Sequence, residues 1–187
     1  MNSLKFCALC YLFTYVYANK LRDAISNDDA HSVKDAIDRG ADLNEVGPGG
    51  QTPLMFAVLS GKTNAVKILL EGGADTSVPE KDGYTPMHGA GFQGRAEIAR
   101  LLIAHGLDPS DRHGDGFTPL HRACWGREQR HADTVRAFLE AGVPLHEASS
   151  TGQTCRDLAS GNIATLKMLD GWESTQSSRV RSDHEEL

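Results

Sequence analysis

Two histidines, His88 and His121, stand at the same place after a Thr-Pro dipeptide and are the first candidates for a catalytic base or a metal ligand. Histidine titrates near neutral pH and binds metals, so a repeated histidine is a natural place to look for chemistry. A catalytic base needs a nucleophile within reach, and no nucleophile and base in this chain have a spacing that supports one. We therefore predict no catalytic residue and no cofactor, and we expect that the chain is not an enzyme.

A second candidate is the tripeptide Gly61-Lys62-Thr63, which matches the end of a phosphate-binding loop. Such a loop needs another glycine five residues before Gly61, and a strand before that glycine. Position 56 is Phe, and the surrounding pattern indicates two helices and a turn. We reject a phosphate site here.

The segment Asp111-Arg112-His113-Gly114-Asp115-Gly116 has the acidic spacing that begins a calcium loop. That loop requires a bidentate glutamate at its twelfth place, and the residue there is Arg122. We predict a turn rich in Asp and Gly, and no metal site beyond a weak, adventitious ion at Asp108, Asp111, His113 and Asp115.

The four cysteines are Cys7, Cys10, Cys124 and Cys155. The last two fall in neighbouring predicted helices, one in the middle of its helix and the other near the start. A rise of about 7.5 Å along the axis and about 10 Å between packed helices would separate them. A disulfide needs Cα atoms within about 7 Å. We therefore predict that Cys124 and Cys155 are free thiols, even in an oxidising compartment.

The elements that position these residues recur with a period of 33. A Thr-Pro dipeptide begins each unit and a glycine closes it; the pairs are Thr52 and Gly73, Thr85 and Gly106, and Thr118 and Gly142. The interval between threonine and glycine is the same in the first two pairs, and the third pair is longer by three residues. We place the three extra residues in a loop over Arg127–Asp133, with His131 in solvent.

Each unit is predicted to be a pair of helices joined by a turn. The threonine can cap the first helix, the proline suits its first position, and the closing glycine ends the second helix. One face of each pair is apolar and must be buried against a neighbouring unit. Weaker copies precede residue 52 and follow residue 153, so we count about five units.

The period and the Thr-Pro-Leu-His motif at Thr118–His121 resemble those of the ankyrin-repeat family, over about residues 19–170. The resemblance implies an all-α solenoid of about five helix-turn-helix units, with three clear central repeats, two degenerate capping repeats and turn or hairpin fingertips. It implies that His88 and His121 tie adjacent units by hydrogen bonds. It also implies a non-catalytic function in protein binding, as a scaffold or adaptor.

In this family the partner usually contacts the residue before the threonine and the residue seven after it. Aromatic residues at these variable places should anchor a partner. The predicted protein-binding residues are Leu59, Tyr84, Phe92, Phe117, Arg122 and Trp125. The alternative is that some of these rings fold back over the core between units.

The two ends of the chain look like targeting signals. Residues 1–18 have a short basic start, an apolar run and small residues before a cleavage site after Ala18, so we predict a signal peptide. The alternative is an apolar capping helix. The apolar run Phe6–Tyr17 would rise about 18 Å as a helix, against about 30 Å for a bilayer core. We predict no membrane span.

Residues 171–187 form a predicted flexible, polar tail that ends in His184, Glu185, Glu186 and Leu187. These four residues resemble the Lys-Asp-Glu-Leu retrieval signals. With the predicted signal peptide, they indicate the lumen of the endoplasmic reticulum. The alternatives are a cytosolic adaptor, whose N-terminus is not a true signal, and a secreted effector.

The net charge of −6 argues against a nucleic-acid partner, which would require a basic face. We expect a protein partner, whose identity the sequence does not give, and a monomeric chain.

Overall fold

The structure, a computed structural model, describes residues 19–47 and 49–185. The predicted signal peptide, residues 1–18, lies outside the described residues. So do Glu186 and Leu187 of the predicted retrieval signal.

The described residues form helices and turns and no strand. The helices are α1 (residues 19–26), α2 (Ala30–Asp38), α3 (Pro53–Ser60), α4 (Thr63–Glu71), α5 (Pro86–Gln93), α6 (Ala96–Ala104), α7 (Pro119–Trp125), α8 (Gln129–Glu140), α9 (Cys155–Leu158) and α10 (Ile163–Glu185), with a short 3₁₀ helix at Ala159–Gly161. This confirms the all-α prediction and its helix-turn-helix repeat. None of the described helices combines the length and the apolar character needed to cross a membrane.

The predicted caps begin the first helix of a repeat. The hydroxyl of Thr52 accepts a hydrogen bond from the Met55 amide at 3.2 Å, and Pro53 occupies the first position of α3. α3 ends at Gly61, whose φ of 70° is in the left-handed region that favours glycine. Thr118 caps α7 in the same way, so the Thr-Pro dipeptide marks where each of these helices starts.

Four fingertip turns separate the repeats and share one hydrogen-bond pattern. In each turn, the amide of the first residue donates a hydrogen bond to the carbonyl of the fifth. The fourth residue is a glycine with a positive φ. The turns are 47–51, 80–84, 113–117 and 149–153. The segment predicted as a turn rather than a calcium loop is the third of them. The first two intervals between turns are equal and the last is longer, so the three extra residues lie between the third and fourth turns.

Those three residues lengthen a helix. α4 and α6 have 9 residues each, whereas α8 has 12. The predicted loop over Arg127–Asp133 is therefore wrong, and so is the prediction that His131 is in solvent. His131 is buried within α8, where its Nδ1 accepts the Glu128 amide and its Nε2 donates to the Phe92 carbonyl at 3.3 Å. The extra residues are accommodated because about one turn of helix preserves the buried face.

The chain divides into two compact units. Among the described residues, the first comprises 19–47, 49–89 and 101–107, and the second comprises 90–100 and 108–185. In the first unit α4 packs on α2 and α3, and Leu54 and Leu69 are fully buried.

In the second unit α8 packs on α7 and α10, and α9 packs on α7. Phe138 of α8 and Leu169 of α10 are fully buried in this core. Within each unit the helices thus bury the apolar stripe that the repeat pattern predicts.

The C-terminal segment differs from the predicted flexible tail, since α10 continues through residue 185. The Arg156 guanidinium pairs with Asp170 at 2.9 Å and with Glu173 at 2.8 Å, which fixes the middle of the helix. The hydroxyls of Ser174 and Ser177 donate to carbonyls four residues earlier, so these polar residues are compatible with the helix.

Candidate functional site

Three of the predicted binding residues form an aromatic–arginine cluster, which we define as Phe117, Arg122 and Trp125. The rings of Phe117 and Trp125 are stacked, with centroids 4.9 Å apart and planes at 17°. The Arg122 guanidinium carbon lies 5.0 Å from the Phe117 centroid and 5.3 Å from the Trp125 centroid. Phe117 lies at the end of the fingertip turn, and the other two are on α7. The capped start of α7 therefore determines how the three side chains meet.

An ion pair holds the arginine of the cluster in place. The Arg122 guanidinium donates to the Asp115 carboxylate, which also accepts the Phe117 amide at 3.1 Å. Burial alone would raise the pKa of Asp115. The hydrogen bonds from His113, the Phe117 amide and Arg122 outweigh burial and hold that pKa well below its usual range. The carboxylate therefore stays charged and keeps Arg122 against both rings.

Exposure divides the predicted residues into accessible and supporting ones. The exposed fraction is 46% for Trp125 and 59% for Phe92, but only 7% for Phe117 and for Arg122. Phe117 folds inward, as the alternative prediction allowed for some of the rings. In the cluster, Trp125 is the side chain that a partner can contact, and Phe117 and Arg122 position it.

The remaining predicted residues lie in the first unit. Leu59 is half-buried at the end of α3. Tyr84 is half-buried at the end of the second fingertip turn, with its ring centroid 6.1 Å from that of His88. The cluster, in the second unit, brings three of the predicted residues together.

The two candidate histidines have structural roles. His121 is fully buried; its Nδ1 accepts the Thr118 hydroxyl at 2.8 Å, and its Nε2 donates to the Glu147 carbonyl at 3.1 Å. Burial lowers the pKa of His121 below its ordinary value, against the opposing effect of Glu147. Glu147 follows α8, so the implied tie to the adjacent repeat is confirmed for His121. His88 makes the equivalent contact with the Thr85 hydroxyl at 2.8 Å.

The structure also shows where metal-binding groups lie. In the described ranges 19–47 and 49–185, no three His, Cys, Asp or Glu side chains are close enough together to hold a metal ion. Asp115, one of the four residues considered for a weak ion, binds Arg122. Asp115 of the third fingertip turn therefore serves the turn and the cluster.

The prediction of two free thiols is wrong. Cys124 and Cys155 form a disulfide, with Cα atoms 5.3 Å apart, and both residues are fully buried. The expected separation holds for parallel helices whose axes lie about 10 Å apart. In the structure, α9 is a single turn that packs on α7 where Cys124 faces it.

The preceding repeat shows that this close approach belongs to the fold. Gly91 and Cys124 each lie six residues after the threonine of their repeat, and Pro119 and Cys155 each lie one residue after the next threonine. A Cβ placed on Gly91 would be 2.3 Å from the Pro119 carbonyl oxygen. The two positions therefore meet in both repeats, and repeat register was the signal that could have predicted the disulfide.

Comparison with known families agrees with this architecture. A family model described as ankyrin repeats, in three copies, matches residues 21–113, and a model of a single ankyrin repeat matches residues 115–147. Together the two matches cover well over half of the chain. No curated protein is similar enough in sequence to give a match.

Proposed function

The chain belongs to the ankyrin-repeat family, and from this premise we propose that it is a non-catalytic scaffold or adaptor in the lumen of the endoplasmic reticulum. Ankyrin repeats are protein-interaction modules. The partner is a protein that binds the second unit at Trp125 and Phe92.

The observation that carries the proposal is the exposed and fixed indole of Trp125. Tryptophan is enriched at protein interfaces and among the residues that dominate binding energy. Phe117 and Arg122 hold the indole in one orientation, and Asp115 holds Arg122. A side chain that is already ordered loses little entropy on binding, which favours affinity.

The compartment is supported by the disulfide between Cys124 and Cys155. Structural disulfides are typical of secreted and lumenal proteins and rare in the cytosol. The apolar N-terminal segment and the C-terminal tetrapeptide His184–Leu187 support the same compartment from the sequence.

Binding is tested by purifying partners from a lumenal extract on the immobilised chain and measuring their affinity. We expect Trp125→Ala to weaken binding about 30-fold or more, the effect of losing a dominant interface residue. The matched control is Ile163→Ala, which removes another exposed apolar side chain of the second unit, 70% exposed. Equal effects of the two substitutions would contradict a specific role for Trp125.

The compartment is tested by expressing the chain with native ends in eukaryotic cells, with and without residues 184–187. We expect the mature protein to begin at Asn19, the intact chain to be retained, and the truncated chain to reach the medium. An uncleaved protein in the cytosol would instead support a cytosolic adaptor. Release of the intact chain would support a secreted effector.

A further inference from the structure

A small pocket of about 210 Å³ opens beside Trp125. It lies where the turn between α7 and α8 faces the end of α9 and the 3₁₀ helix. Trp125 and Arg127 line one side, and Leu158, Gly161 and Asn162 line the other. The pocket is large enough for one or two side chains of a partner but not for a folded element.

The floor of the pocket is fixed by Asn162, which is buried. Its side-chain nitrogen donates to the carbonyls of Gly126 at 2.8 Å and Glu128 at 3.2 Å, and its side-chain oxygen accepts the Ala164 amide at 3.0 Å. These bonds join the turn before α8 to the start of α10. The pocket is therefore formed before anything binds.

Two exposed side chains of the pocket, those of Trp125 and Arg127, differ in chemistry. Trp125 offers an apolar face that is 46% exposed. The Arg127 guanidinium extends towards Gly161, and its Nε lies 3.9 Å from where a Cβ on that glycine would be. In the part of the chain that the structure describes, the Arg127 guanidinium makes no hydrogen bond or ion pair. An apolar wall thus adjoins a cation with open hydrogen-bond donors.

Arg127 is the charged residue that lines the pocket, in a chain whose net charge is −6. Arg127 and Arg130 flank Glu128, which pairs with Arg130 at 2.7 Å. Such a local surplus attracts an acidic group and orients its approach.

We propose that this pocket binds an acidic peptide segment of the protein partner, with an apolar side chain against Trp125 and an Asp or Glu carboxylate on Arg127. The proposal rests on the protein-binding function proposed above and specifies the chemistry of the segment. A guanidinium binds a carboxylate through two parallel hydrogen bonds. The indole beside it favours a peptide side chain over a free inorganic anion, which has no apolar part to bury.

The first test is selection from a random dodecapeptide phage library on the full chain without residues 1–18. We expect enriched peptides in which Asp or Glu adjoins an apolar residue. On Arg127→Gln this acidic preference should disappear. It should persist on Arg136→Gln, which removes another exposed cation of the second unit outside the pocket. No enrichment, or the same preference on all three proteins, would overturn the proposal.

The second test is a double-mutant cycle with the most enriched peptide and its analogue in which the acidic residue is replaced by its amide. Trp172→Phe leaves Trp125 as the single tryptophan reporter. We expect Arg127→Gln to raise Kd about tenfold for the acidic peptide and to change it little for the amide. Equal changes for the two peptides would exclude the Arg127–carboxylate pair.

The two proposals fail in different ways. If no peptide depends on Arg127 while Trp125→Ala still abolishes partner binding, the acidic segment is excluded and the protein-binding function stands. If neither substitution affects any binding, both are excluded.

Discussion

The two repeat junctions of the second unit bring the same two repeat positions together but hold them differently. At the upstream junction a glycine, Gly91, lets α5 approach the backbone of Pro119. At the downstream junction the same positions are Cys124 and Cys155, which form a disulfide. The last repeat begins with the single turn α9, of which Cys155 and Leu158 are buried. A covalent bond thus supplements packing where a degenerate terminal repeat begins with a helix of one turn.

Hydrogen bonds from buried imidazoles accompany both junctions. His131 donates to the Phe92 carbonyl upstream, and His121 donates to the Glu147 carbonyl downstream. Both junctions therefore contain a hydrogen bond from a buried imidazole, and they differ chiefly in how the two helices make contact. Substitutions at this helix contact should therefore distinguish the two junctions.

The largest effect is expected from Cys124→Ala combined with Cys155→Ala. Removing a cross-link between residues 31 apart should lower the free energy of unfolding by about 3–4 kcal/mol, because the unfolded chain regains the entropy of the open loop. Urea denaturation of the oxidised protein and the double variant measures the difference. The unsubstituted chain treated with a reductant should become about as unstable as the variant. If the variant were as stable as the oxidised protein, the disulfide would not be the main tie at this junction.

A smaller loss is expected from Gly91→Ala at the upstream junction. The added methyl would be 2.3 Å from the Pro119 carbonyl oxygen, and backbone cannot move aside as a flexible side chain can. Overpacking of this kind costs about 1–3 kcal/mol, which exceeds the gain in helix propensity from Gly to Ala. Gly114→Ala is the control, because nothing lies within 4 Å of its added methyl. Equal melting curves for the two variants would show that the close approach is not required.

The smallest effect concerns pH and His121. Burial lowers the pKa of this imidazole, so the folded chain binds the proton more weakly than the unfolded chain. The free energy of unfolding should therefore fall as the pH drops below 6.5, the ordinary value, and become constant below the folded pKa. Denaturation between about pH 8 and about pH 5 measures this slope. The slope should be shallower in His121→Gln, and an unchanged slope would assign it to other groups.

The sequence was sufficient to predict the repeated elements of the fold. Thr52, Thr85 and Thr118 each precede a helix that begins at the adjacent proline, as the period of 33 predicts. These signals are local, because a cap and a proline act within one turn of helix. The turn at Asp111–Gly116 was predicted for the same reason.

Features that depend on contacts between elements were not predictable to the same degree. Spacing identified Trp125 and Phe92 as variable positions, and both are exposed. It did not show that Phe117 and Arg122 are buried against Trp125, since that packing depends on the ion pair with Asp115. The longer α8 was missed because extra residues were assigned to a loop, although a helix can gain a turn without losing its buried face.

The disulfide closes a covalent ring over residues 124–155, which contains all of α8 and the fourth fingertip turn. A protease that cuts once within this ring leaves the two fragments joined. The fragments separate only after reduction, so a nicked protein runs as an intact chain on a non-reducing gel. The exposed residues 150–153 of the fourth fingertip turn, where cleavage is easiest, therefore lie inside a segment whose ends remain attached.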